Sequence, residues 1–189
     1  MQVIILGPPG VGKGTQSLLI SRKLGLIHLS TGEILRSAAE AKTRLGLLAK
    51  EIMNSGKLVS DEIMVGVVRD ALSGIEMKNT GFILDGFPRT LNQAIALDSI
   101  FKEFGFNEVR IVNIIADDEV LVKRLMGRGR QDDTLETVTN RLKVYKEQTA
   151  PVKEYYSKEY PVHDINGVGD IDKINDGIVD VLKGIGTKA

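Results

Sequence analysis

The chain has 189 residues, the length of one domain with room for a small insertion, and it can bury about 70% of its unfolded surface. Lysine plus arginine total 25 and aspartate plus glutamate total 25, and a zero formal charge argues against a general nucleic-acid binder. The absence of cysteine excludes disulfides, thiol chemistry and cysteine-ligated zinc, and apolar runs such as Val3–Leu6 fall short of the about 18 residues of a membrane span.

Strand-like residues begin at position 2, so the expectation is a soluble, cytoplasmic chain with no signal segment ahead of the fold. In chain order the predicted strands are Gln2–Leu6, Leu26–Leu29, Gly81–Leu84, Val109–Ile115 and Val162–Ile165. Three are almost unbroken apolar runs, as for strands covered by helices on both faces. Helix-like segments separate them, the alternation of an α/β fold with a mainly parallel sheet. Ser30-Thr31-Gly32-Glu33 reads as a capping box opening a helix over Glu33–Ala41, and Thr90-Leu91-Asn92-Gln93 repeats the device. Asp61 and Glu62 favour the start of a helix ending near Ser73, with Gly74 just past its end. Pro151 is expected to break or kink the helical stretch from Leu135 to Tyr160. Between the second and third strands lie three helical stretches, about 33–74, more than one crossover requires. A polar loop, Gly127-Arg128-Gly129-Arg130-Gln131-Asp132-Asp133, precedes the long helix, and Gly184–Ala189 reads as a frayed tail. His28 and His163, the two histidines, fall in strands and read as structural.

The segment Gly7-Pro8-Pro9-Gly10-Val11-Gly12-Lys13-Gly14-Thr15 follows the first strand and opens a helix, the required context of a phosphate-binding loop. Glycines let successive backbone N–H groups converge on phosphate oxygens, the helix N-terminus adds the positive end of its dipole, and Lys13 supplies a point charge. The hydroxyl comes one place late, at Thr15 after Gly14, so its direct contact with magnesium is left open. Asp85 ends an apolar strand at the same sheet edge. It reads either as a buried turn cap or as an acid that holds magnesium through water. Arg89 follows that strand at the edge where ligands of open α/β sheets gather.

Beyond the loop, Leu29-Ser30-Thr31-Gly32-Glu33-Ile34-Leu35-Arg36, Leu84-Asp85-Gly86-Phe87-Pro88-Arg89-Thr90, Arg130-Gln131-Asp132-Asp133, Arg141-Leu142 and Thr149-Ala150-Pro151-Val152 stand in one order along nearly the whole chain. Together with Gly7–Thr15 they resemble the adenylate kinase family. The resemblance implies a five-stranded parallel core of the phosphate-loop NTPase type, formed by 1–29, 60–127 and 134–189. It also implies a nucleoside-monophosphate-binding insertion at 30–59 and a short lid at 128–133. The implied reaction is MgATP + AMP ⇌ 2 ADP, serving adenine nucleotide balance in a cytoplasmic monomer that uses magnesium and no zinc.

Residue by residue, the resemblance assigns ATP to Gly10, Val11, Gly12, Lys13, Gly14, Thr15, Arg124, Arg128 and Gly169. It assigns AMP to Thr31, Arg36, Lys57, Leu58, Val59, Gly86, Phe87, Pro88, Arg89 and Gln93. Arg130 and Arg141 are to reach the transferring phosphoryl group and the AMP phosphate, so the expected catalytic set is Lys13, Arg89, Arg124, Arg128, Arg130 and Arg141. Two of these positions keep local alternatives: Thr31 as a plain helix start, and Gln93 as the partner of Thr90 in a capping box. Between Arg128 and Arg130 only Gly129 intervenes, so the two guanidiniums are to be aimed by glycine's backbone freedom, with φ > 0.

A phosphate oxygen is already anionic at pH 7, which accounts for a set of cations with no histidine or nucleophile constellation. A UMP/CMP-type kinase on the same fold is the nearest rival, and Thr31 and Gln93 speak against it. A GTPase-type switch is the rival from another class; the Asn-Lys-x-Asp guanine-reading motif is missing. A nucleic-acid-dependent ATPase is weaker still, with 5 Phe and 4 Tyr and no Trp for stacking.

Overall fold

A computed structural model describes residues 1–73, 80–130 and 132–184. Gly74 as a helix stop, Gln131 in the lid motif and the tail at 185–189 lie outside the described residues. The strands are β1 (Gln2–Leu6), β2 (Ile27–Ser30), β3 (Phe82–Asp85), β4 (Val109–Ile115) and β5 (Val162–Asn166). All neighbours pair parallel, in the order β2-β3-β1-β4-β5. Three of the five strands begin or end one residue from the expected bounds. Ser30, Asp85 and Asn166 continue the ladder past the last apolar residue because their backbones still find partners, as in Ser30↔Asp85 and Ile115↔Asn166.

The strands alternate faces with period two, and two cores result. Ile4, Leu6, Phe82, Leu84, Val109 and Ile111 face one core, and Val3, Ile5, Ile83, Val112 and Ile114 face the other. The first core is closed by α2 (Thr31–Glu40), α3 (Arg44–Asn54), α4 (Asp61–Ser73), α5 (Leu91–Phe104) and α8 (Ala150–Tyr156). The second is closed by α1 (Lys13–Leu24), α6 (Asp118–Gly127), α7 (Leu135–Val144) and α9 (Ile171–Leu182). Burial on both faces explains why β1, β3 and β4 read as almost unbroken apolar runs, while the edge strand β5 is largely exposed. Among the described residues no helix is long and apolar enough to cross a membrane.

The helix punctuation is met in part. Thr90 caps α5, its Oγ1 accepting from Gln93 N at 3.2 Å, but the reciprocal bond of a capping box is absent: Gln93 Oε1 accepts from Arg89 N at 2.8 Å. The Ser30 box does not form. Helix α2 starts two residues early, at Thr31, and the Ser30 side chain makes no capping bond, because Ser30 is still a strand residue paired with Asp85. α4 begins at Asp61 as its acidic pair predicts. The expected kink at Pro151 takes the form of a π-helical segment, Tyr145–Thr149, between α7 and α8. Proline lacks the N–H that an unbroken α register requires.

The excursion between β2 and β3 depends on one close approach. A Cβ on Gly46 of α3 would stand 2.1 Å from Ala38 C and 2.3 Å from Ala39 N of the α2 backbone. Gly46→Ala must push α2 and α3 apart, and overpacking of this kind costs about 1–3 kcal/mol. Thermal denaturation is expected to show that loss; an unchanged melting temperature contradicts the packing described.

Candidate active site

The loop Gly7–Gly12 turns directly off β1 at the C-terminal edge of the sheet. Gly12 is the N-cap of α1 with φ 105, a left-handed conformation that side chains rarely adopt, and no heavy atom lies within 4 Å of the Cβ it lacks. The glycine is there for the turn and not for space. Lys13 folds back over the loop, its Nζ donating to Gly7 O at 2.7 Å and Pro8 O at 2.8 Å. Enclosure lowers its pKa to about 8; Asp85 works against that, while Arg89 and Arg128 add to it. A phosphate placed beside it restores preference for the charged form.

Asp85 closes β3, which lies between β2 and β1, with its Oδ2 3.6 Å from His28 Nε2. Burial works to raise the Asp85 pKa, but His28, Lys13 and Arg89 outweigh it, and the carboxyl is held below the usual range. His28, read from sequence as a structural strand residue, therefore stands beside the buried acid. An ionised carboxylate at the phosphate loop is a hard oxygen donor suited to a magnesium ion that keeps its waters and phosphate ligands. Among the described residues no group of three or more His, Asp or Glu side chains could hold a metal ion by itself.

In front of this edge lies a cleft of about 890 Å³. Every position expected to meet ATP lines it: Gly10, Val11, Gly12, Lys13, Gly14, Thr15, Arg124, Arg128 and Gly169. Val11 does so by its backbone, since its side chain belongs to the core. Arg36, Lys57, Leu58, Gly86, Pro88, Arg89, Arg130 and Arg141 line it as well. Thr31, Val59 and Gln93 instead border a recess of about 40 Å³ that shares Lys57, Leu58, Gly86 and Arg89 with the cleft. Phe87 lines neither. It is 1% exposed and packs in the first core, so of the expected AMP turn it supplies backbone and packing only.

Most of the guanidiniums are held by oxygens. Arg89 Nε donates to Gly86 O at 2.6 Å, and Arg124 Nη1 to Val11 O at 3.3 Å. Arg128 makes two bonds to Asp133, at 2.8 and 2.6 Å, and Arg141 reaches Asp133 at 2.7 Å and also pairs with Asp132. The Asp133 side chain is 2% exposed. Burial favours its neutral form, but Arg128 and Arg141 prevail and hold its pKa down. The Arg130 side chain lines the cleft with no hydrogen bond or ion pair to a described residue, and burial, then Arg128 and Arg36, lower its pKa. Gly129 adopts φ 74, with open space where a side chain would begin, as the single-residue spacing predicts.

Thr31 begins α2 beside Asp85, and its Oγ1 donates to Gly86 O at 3.0 Å. A Cβ on Gly86 would meet Thr31 Oγ1 at 3.0 Å and Arg89 Nη2 at 2.9 Å, so the turn is small where those two side chains meet. At the other end, Gln16 Nε2 donates to Ile171 O at 3.0 Å, and Asn175 Nδ2 to Gln16 Oε1 at 2.9 Å. This buried pair ties α1 to the start of α9, just beyond Gly169. Thr149 Oγ1 donates to Arg89 O at 2.8 Å. Sequence reasoning missed the partnerships of Gln16 with Asn175, of Thr149 with Arg89 and of Asp133 with two arginines. Only Asp133 carried a local signal, lying five and eight residues from its partners.

The sequence model of the adenylate kinase family matches residues 5–160. An adenylate kinase of Prochlorococcus marinus (strain NATL2A) is 45% identical over 173 residues, covering 92% of this chain and 93% of its own. That of Leptospira biflexa serovar Patoc is 44% identical over 182 residues, 94% of this chain and 97% of its own. That of Stenotrophomonas maltophilia is 42% identical over 188 residues, 97% of this chain and 100% of its own. With a phosphate loop, a cationic cleft and a second recess set in one parallel sheet, and with likeness running nearly end to end, the chain belongs to the adenylate kinase family.

Proposed function

We propose a division of labour for the reversible transfer ATP + AMP ⇌ 2 ADP that the family carries out. The observation behind it is one cleft lined by the phosphate loop and by Lys13, Arg36, Arg89, Arg124, Arg128, Arg130 and Arg141, sharing wall residues with a recess that Thr31 and Gln93 border. The loop amides, Lys13 and Thr15 take the donor phosphates. Arg124 and Arg128 flank the donor, whose adenine rests against the backbone at Gly169. Arg36 and Arg89 clamp the acceptor phosphate, and Thr31, Lys57, Leu58, Val59, Gly86, Pro88 and Gln93 enclose its base. Residues 30–59 act as the acceptor-binding insertion and 128–133 as the lid, on a core of 1–29, 60–127 and 134–189. The enzyme works as a cytoplasmic monomer without nucleic-acid or membrane partners.

The nucleophile is an oxygen of the acceptor phosphate, so no side chain has to remove a proton. Catalysis is left to alignment of the two nucleotides and to neutralising charge on the equatorial oxygens, for which the planar, bidentate guanidinium is suited. Magnesium, when bound, would offset charge on the donor phosphates, and Asp85 would hold it through water. With its hydroxyl proton committed to Gly86, Thr31 meets a base as an acceptor.

The test is an acceptor panel with ATP as donor. AMP is expected to give the highest kcat/KM among AMP, UMP, CMP and GMP; UMP or CMP used as well as AMP contradicts the reading. A second expectation concerns the lid. Arg130→Ala loses a contact made chiefly in the transition state, so kcat and kcat/KM fall together by about 10²–10³ with little change in the AMP KM. Gly129→Val moves both in the same direction, since a β-branched residue held at φ 74 costs about 1–3 kcal/mol. A change in KM alone for Arg130→Ala would make Arg130 a surface charge.

A further inference from the structure

Gln93 is buried and borders the recess, and its amide is held at both ends. Its Oε1 accepts from Arg89 N at 2.8 Å and its Nε2 donates to Asp61 Oδ1 at 2.8 Å. A backbone N–H can only donate and a carboxylate can only accept, so the partners dictate which end of the amide is oxygen. A flipped amide would set N–H against N–H and oxygen against a carboxylate. The two bonds use one of two N–H groups and one of two lone-pair directions. One donor and one acceptor, in fixed order, remain.

Asp61 is itself anchored. It is the first residue of α4, and the same Oδ1 accepts from Thr90 Oγ1 at 3.0 Å, at the N-cap of α5. The carboxylate thus joins the first turns of two helices and fixes the side chain that faces the recess between them.

We propose that Asp61 is a positioning residue that determines base specificity by locking the Gln93 amide. The inference rests on the reading that the recess takes the acceptor base. Locked, the amide suits an edge that sets a ring-nitrogen acceptor beside an exocyclic amine, as in adenine. It opposes the reversed edge of hypoxanthine, a ring N–H beside a carbonyl. AMP and IMP differ in this reversal, which makes them the discriminating pair. Removing the carboxylate deletes one charge-assisted bond that a flipped amide would forfeit, leaving Arg89 N–H as the remaining restraint.

The experiment measures kcat/KM for AMP and for IMP with the wild type, Asp61→Ala, Asp61→Asn and Gln93→Leu. The wild type favours AMP. Asp61→Ala narrows the AMP-to-IMP ratio by about tenfold, the weight of one hydrogen bond to a charged group. Asp61→Asn keeps an oxygen able to accept both bonds, and its ratio stays within about threefold of the wild type. Should Asp61→Ala fail to fold, Asp61→Ser, which suits a helix start but is too short to reach Gln93, is expected to narrow the ratio in its place. Equal losses on AMP and IMP in the Ala or Ser variant mean a structural role and overturn the proposal. Asn behaving like Ala overturns it too, in favour of charge alone. If Gln93→Leu narrows the ratio and the Asp61 variants do not, Asp61 has no part while the base site stands. If none of them changes it, the base is not read in the recess, and both readings fall.

Discussion

Crowding positive charge into a cleft is the constraint on which this structure turns. Lys13, Arg36, Arg89, Arg124, Arg128, Arg130 and Arg141 line one cavity with Glu33, Asp85 and Asp132 as its acidic wall residues. Two unit charges 4 Å apart repel by about 4 kcal/mol near a protein surface, so fixed oxygens beside the cations lower the cost of gathering them before any nucleotide arrives. Among the described residues, five of the seven have them: loop carbonyls for Lys13, Gly86 O for Arg89, Val11 O for Arg124, and Asp132 and Asp133 for Arg128 and Arg141. A set held this way costs little reorganisation when phosphates take the place of water.

The sheet makes that arrangement possible. Parallel strands bring the ends of β1, β2 and β3 to one edge, where Ile5 pairs with Asp85 and Asp85 with Ser30. The phosphate loop, the acid and the start of α2 are therefore neighbours by register, before any side chain is considered. Burial on both faces, through two separate cores, keeps the edge rigid, and the cations ride on the helices and loops leaving it.

The sequence made the scaffold legible because its signals are local. Almost unbroken apolar runs marked three of the five strands, alternation with helix-like segments marked the other two, and Asp61 and Thr90 marked two helix starts. The phosphate loop is defined by spacing alone, and the demand on Gly129 followed from its place between two arginines. Where distant parts of the chain compete, local reading fell short. Ser30 looks like a cap but is claimed by the sheet, and Gln93 looks like half of a capping box but turns to Arg89 N and Asp61. Asp61 lies 32 residues from Gln93, and Gln16 lies 159 from Asn175; no periodicity or motif links such pairs. Phe87 sits in a motif of ligand-facing neighbours yet belongs to the core, since the turn at Gly86 sends its ring inward. The arginines were assigned roles by family likeness, because a string of basic residues reads equally as a solvated face.

The central claim is that aligned cations, with no proton-removing side chain, carry a phosphoryl group to a phosphate and not to water. Phosphorus NMR of the enzyme with magnesium and ATP, recorded with and without AMP, tests it most directly. The account predicts two ADP formed for each ATP consumed when AMP is present, and neither ADP nor inorganic phosphate on that timescale without it. Steady release of inorganic phosphate in the absence of AMP would contradict it.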